Sequence, residues 1–88
     1  MLNKLEAIIN EKESNIIALQ YGLKQEESLH LTNCDGNMLA TVTYNQEEQV
    51  YEIDIEEYDG YNEEYYLIEC KYYKTAGRAF NYIKKMLP

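Results

Sequence analysis

Glu52, Asp54 and Glu56 stand at alternate positions, and Glu57, Asp59, Glu63 and Glu64 follow close behind. Side chains two apart on an extended chain project from the same side, about 6.7 Å apart, twice the residue rise. Phosphates of one DNA strand advance about 3.4 Å along the helix axis, and further along the curved backbone path. A row of carboxylates at this spacing can therefore stand in for a row of phosphates. Tyr58, Tyr61 and Tyr65 are interleaved with the acids, and tyrosine supplies rigid amphipathic contact area at protein interfaces. These acids and tyrosines form the candidate partner-binding site. The plain alternative is a solubilising surface, since runs of charge are commonly just solvated.

Other chemistry is poorly supplied. Cys34 and His30 suggest a nucleophile and its base. Four residues apart on one strand they would stand about 13 Å apart, far beyond hydrogen-bond reach. Cys70 reads as a small hydrophobe on the core face. Carboxylates attract Ca²⁺, but neither Asp-Gly pair fits a calcium loop. Placing Gly60 at the loop glycine puts Ile55 first and Tyr66 last, where Asp and Glu are required; Gly36 gives Leu31 and Val42. No phosphate loop, Rossmann fingerprint or zinc spacing occurs. Paired carboxylates could hydrolyse a glycoside, but so small a sheet offers no cleft to hold a sugar. The expectation is a protein that is not an enzyme, with no cofactor and no metal.

Charge is segregated along the chain. Residues 26–70 hold thirteen acids and no Lys or Arg, while residues 71–88 hold Lys71, Lys74, Arg78, Lys84, Lys85 and no acid. The net charge over 88 residues is -8. Direct binding to nucleic acid or to an anionic membrane needs a clustered positive surface, so neither is expected. The basic C-terminal cluster balances the acidic region and a helix dipole. No apolar run approaches a membrane span and no signal-peptide core opens the chain, so a cytoplasmic protein is expected. The length accommodates one domain, 1–88, with a small core.

The elements follow from hydrophobic period. Leu2, Leu5 and Ile9 form a helical stripe that continues through Ile16, Leu19 and Leu23, broken only by Lys12, with Gly22 as a C-terminal cap. A rival reading stops the helix near Glu13 and makes 15–21 an extra strand, because Ser14-Asn15 is weak helix material and Ile16-Ile17 is β-branched. From Ser28 the period is two. Asp35-Gly36 reads as a two-residue turn pairing Leu29 with Val42 and Leu31 with Ala40. Asn45–Glu48 as the next turn pairs Val42 with Tyr51, Ala40 with Ile53 and Met38 with Ile55. Asp59-Gly60 as the third pairs Ile53 with Tyr66, Tyr51 with Ile68, and Glu56 with Glu63. All three turns yield one apolar face that ends in Tyr66, Ile68 and Cys70. The opposite, open face carries His30, the row of acids, Tyr65, Leu67, Glu69 and Lys71. Thr75 caps a final helix whose stripe is Ala76, Ala79, Phe80, Ile83 and Leu87. The fold expected is α+β: a four-stranded antiparallel meander with both terminal helices on one face (α-β-β-β-β-α), leaving the other face wet.

In size, acidity and richness in Tyr, Asn and Glu, the chain resembles small phage-encoded inhibitors of host defence, including anti-CRISPR and anti-restriction proteins. The likeness is one of composition and carries over no residue role. It implies a non-enzymatic inhibitor that imitates the phosphate backbone and blocks the cationic site of a larger, basic, nucleic-acid-handling enzyme. The alternative is a protein-interaction module, such as an immunity protein or a regulatory subunit, docking through its helices or an edge strand.

Overall fold

The computed structural model describes residues 1–19 and 28–88. In chain order they form α1 (Leu2–Glu11), β1 (Ile17–Leu19), β2 (Ser28–Thr32), β3 (Met38–Asn45), β4 (Val50–Asp59), β5 (Glu64–Tyr73) and α2 (Ala76–Met86). The strands make one antiparallel sheet in sequence order, so β1 and β5 are its edges.

Of the two readings of the N-terminal segment, helix plus strand is the one observed. Lys12 turns extended at φ -98, ψ 141, and α1 ends at Glu11. Among the described residues the extra strand covers Ile17–Leu19, starting two residues later than expected and pairing Ile17 with Thr32 and Leu19 with His30; residues 20 and 21 lie outside the described residues. The expected cap at Gly22 and the stripe residue Leu23 lie outside the described residues.

Leu5 and Ile9 of α1 and Ala79, Phe80, Ile83 of α2, with Leu87 beyond it, meet Leu29, Leu31, Ala40, Val42, Tyr51, Ile53 and Ile55 from the sheet in one buried cluster. Both helices therefore cover the same sheet face, and each fully buried aliphatic side chain contributes roughly 1.5–3 kcal/mol there. Thr75 caps α2 as its sequence indicates, its Oγ1 accepting from the Arg78 N–H at 3.3 Å. The Tyr51 hydroxyl donates to the Met1 carbonyl at 2.8 Å and ties β4 to the start of α1.

The registers depart from expectation progressively along the meander. Leu29 pairs with Val42 and Leu31 with Ala40, as expected. The turn between them is different. The Gly36 N–H closes it onto the Asn33 carbonyl at 3.1 Å, and Gly36 alone takes positive φ, at 71. Asp35 is not a left-handed residue, so Asp35-Gly36 is not a two-residue primed turn. In the second hairpin Ala40 pairs with Ile55 and Val42 with Ile53, two residues from the expected pairing. An even slip keeps the same faces, so the core is unchanged.

The third hairpin slips further. Asp59 pairs with Glu64, Tyr58 with Tyr65 and Glu56 with Leu67, while Ile55 pairs with Glu69, Ile53 with Lys71 and Tyr51 with Tyr73. Ile68 has no β4 partner and forms a bulge. The even slip near the turn keeps Tyr65 and Leu67 on the open face. The one-residue bulge then reverses the faces: Glu69 and Lys71 turn to the helix side, and Cys70 joins Asp54 on the open side. The expected inward placement of Cys70 is therefore wrong; Tyr66 keeps the helix side and Ile68 is the bulge itself, but neither reaches the core, and all three are exposed.

The two slipped turns are twins. Asn45 Oδ1 accepts from the N–H groups of Glu47 at 3.0 Å and Glu48 at 3.1 Å. Asp59 Oδ1 accepts from those of Tyr61 at 2.9 Å and Asn62 at 3.4 Å. Each loop ends in a left-handed residue, Gln49 at φ 56 and Glu63 at φ 55. An Asx side chain capping the loop N–H groups stabilises a four-residue loop where a two-residue turn would otherwise be read from Asp59-Gly60.

Candidate functional site

β4 supplies the acidic row. Its odd residues Tyr51, Ile53 and Ile55 point under the helices and are buried. Its even residues Glu52, Asp54 and Glu56 therefore face outward from the open side. Thr43, Thr41 and Leu39 stand beside them on β3. Glu52 is held: its carboxylate accepts from Thr43 Oγ1 at 3.5 Å and Asn45 Nδ2 at 3.3 Å. Neither Lys nor Arg occurs in β1 to β4. β5 contributes only Lys71, which pairs with Glu69 at 3.6 Å on the opposite side. Among the described strands, the open face therefore carries acids without a Lys or Arg neighbour.

The row continues into an aromatic pair. Tyr58 and Tyr65 pack ring against ring, tilted at 54° with centroids 5.1 Å apart, and the Tyr65 hydroxyl donates to the Gly36 carbonyl at 2.6 Å. Glu52, Asp54, Glu56, Tyr58 and Tyr65 thus form one continuous surface. The other candidate residues lie elsewhere. Glu57 is on the helix side, where Tyr66 donates to it at 3.2 Å and has its own pKa raised by that carboxylate. Asp59 and Glu64 sit opposite each other at the strand ends. Tyr61 and Glu63 are in the loop, Tyr61 being 95% exposed. Hydrogen bonds from Tyr61 N–H and Asn62 hold the Asp59 carboxyl below the usual aspartate range.

Glu56 does not face Glu63; Leu67 stands opposite it. The carboxylate pair expected there is absent, and Glu69, expected on the open face, lies on the other one. Sequence reasoning put Leu67 on the open face without counting it in the site, and it missed Tyr72. They are 59% and 60% exposed and flank the acids from β5, with Tyr72 opposite Glu52. The signal was the run Tyr65-Tyr66-Leu67-Ile68, in which apolar residues occupy both parities and no single-faced strand can be regular.

The Cys34 thiol lies in the 33–37 turn, 3.7 Å from the Asn15 carbonyl oxygen, while His30 is a mid-strand residue between Leu19 and Thr41. Cys70 stands beside Asp54, whose carboxylate pushes the thiol pKa up and away from the reactive thiolate form. Among the described residues no three His, Cys, Asp or Glu side chains converge to hold a metal, and no helix is long and apolar enough to cross a membrane. Family models, curated proteins and solved structures give no match to this chain.

Proposed function

We propose that this protein is a small non-enzymatic binding protein whose open sheet face occupies a cationic site on a larger, nucleic-acid-handling partner. In this reading it acts as phage-encoded inhibitors of host defence do, by imitating a phosphate backbone. The supporting observation is the row Glu52, Asp54, Glu56 on the helix-free face, with no Lys or Arg beside it on the described strands and with Tyr58, Tyr65, Leu67 and Tyr72 bordering it. The acids would speed encounter with a basic channel by long-range steering, and the aromatic border would supply the apolar area that slows departure. Reversing Glu52, Asp54 and Glu56 to Lys should abolish capture of the partner and competition with labelled DNA or RNA. The three side chains are outside the core, so the domain should stay folded by circular dichroism. Wild-type binding should weaken steeply with salt. Lys84→Glu with Lys85→Glu on α2 should change little. If that helix variant loses the partner and the sheet variant keeps it, a helix-docking module replaces the mimic.

A further inference from the structure

β5 differs from the interior strands in that no described residue pairs with its outer edge. Its ten residues, Glu64–Tyr73, pair with β4 on one side only. None of them is fully buried; Leu67 and Tyr72 are 59% and 60% exposed, and Tyr66 and Ile68 are 47% and 40% exposed. A long apolar edge strand is an open template for another strand, and proteins usually blunt such edges with Pro, short length or inward-pointing charge. β5 has no Pro, and its charges within the strand body are Glu69 and Lys71, one of each sign.

Those two charges specify what fits. We infer that the β5 edge pairs antiparallel with β5 of a second copy of this chain, around a two-fold axis at Cys70, extending the sheet from five strands to ten. The register follows from symmetry. A two-fold axis perpendicular to the sheet keeps like faces together, so it must pass beside a single residue and its own mate. An axis at Glu69 or at Lys71 sets that charge against itself, which is destabilising. An axis at Cys70 sets Glu69 against the second copy's Lys71, and Lys71 against its Glu69, so opposite charges meet twice. Past the Ile68 bulge, Tyr72 then meets the second copy's Leu67 on the open face, and Tyr73 meets its Tyr66 on the helix face. The most exposed apolar side chains of the strand cover one another.

The same symmetry places both open faces on one side of the joined sheet. Two rows of Glu52, Asp54 and Glu56 then lie on a single surface, related by the two-fold. The pairing stands whether or not that surface imitates phosphates.

Sedimentation equilibrium on the whole chain tests the pairing without any partner. A dimer is expected for wild type. Glu69→Lys alone, or Lys71→Glu alone, sets like charges opposite each other twice. Each should weaken dimerisation about tenfold, because two cross-strand pairs change sign together. The double swap Glu69→Lys with Lys71→Glu restores opposite charges across the axis and should recover the wild-type dimer constant. In a Cys34→Ser background, diamide at alkaline pH should join Cys70 to its mate. The two thiols give up two electrons and two protons to diamide, one S–S bond forms, and diamide becomes the hydrazine. Circular dichroism establishes that each variant is folded. A wild-type monomer at high protein concentration overturns the inference. So does a dimer that ignores both single charge reversals, or one that gives no Cys70 cross-link. Loss of the acidic row by Lys substitution tests the functional reading and should leave the dimer in place, which keeps the two failures distinguishable.

Discussion

β4 and β5 are the two arms of one hairpin, each ten residues long, yet they are built on different principles. β4 alternates: Tyr51, Ile53 and Ile55 are at most 2% exposed, while Glu52, Asp54 and Glu56 face out. β5 has comparable apolar content and buries almost none of it. Tyr73 at its end packs against Tyr82 of α2, but most of its other apolar surface and its outer flank stay open. Hydrophobic side chains in a strand therefore stabilise the fold only where a second layer meets them, and elsewhere they become surface that something else can use.

The largest expected effect breaks this comparison directly. Ile53→Ala removes a fully buried side chain from the core and should cost about 3–4 kcal/mol. Leu67→Ala on β5 should change stability by no more than about 0.5 kcal/mol. Urea unfolding followed by circular dichroism measures both, at a protein concentration low enough to avoid self-association. Equal losses at the two positions would mean that β5 is packed as β4 is, and the contrast would collapse.

The contrast also explains how far the sequence could be read. Where a strand buries one face, the period of two survives even errors in the turns. The second hairpin slipped by two residues, and the inward residues Ala40, Val42, Ile53 and Ile55 were still assigned to the right face. The α2 stripe and its Thr75 cap were legible for the same reason, since burial enforces the pattern. The third hairpin had no such constraint. Tyr65 to Ile68 is apolar on both parities, no core selects among registers, and the bulge at Ile68 reversed every face beyond it. The acidic row survived because it belongs to β4, whereas Glu69, Cys70 and Lys71 were misplaced because they belong to β5. The Asp59-Gly60 turn was misread because the left-handed residue is Glu63, a position that no glycine marks.

A smaller effect sharpens the β4 side. The Tyr51 hydroxyl is enclosed, and burial, followed by the neighbouring Tyr44, raises its pKa. Tyr51→Phe keeps the ring and its edge contact with Tyr44 at 4.9 Å but loses the bond to the Met1 carbonyl. The expected cost is about 1 kcal/mol. Hydrogen exchange should quicken first in α1, where the lost tie lies. No corresponding loss is expected for Tyr72→Phe on β5, whose hydroxyl is outside the core.

Within the loop joining the two strands the expected change is a gain. Glu63 holds φ 55 without the freedom of glycine. Glu63→Gly should stabilise by about 0.5–1 kcal/mol, the left-handed cost relieved less the entropy glycine loses. Gly60→Ala should be nearly neutral, because Gly60 has no positive φ and an added Cβ meets only Tyr58 Cε1, at 4.0 Å. Thermal melts of the two variants separate a four-residue loop from the two-residue turn, which would reverse the ranking.

The smallest effect is electrostatic and uses the twin loops as each other's control. Asp59 caps its loop with a carboxylate whose pKa is lowered by the bonds from Tyr61 N–H and Asn62. Asn45 caps the β3–β4 loop with a neutral amide. Folded Asp59 binds its proton less readily than the unfolded chain does. Its contribution to stability is therefore complete above the ordinary aspartate value, about 3.9. That contribution is lost as the pH falls through the lower folded value. Carbon-13 titration of the Asp59 carboxyl should give a midpoint below the ordinary one. Asp59→Asn should remove a small part of the acid dependence of the melting temperature and leave the loop intact. Asn45→Asp should introduce the same dependence into the other hairpin. A carboxyl that titrates at the ordinary value would show that the Asp59 loop is not held as its hydrogen bonds imply, and the likeness between the two loops would end at backbone shape.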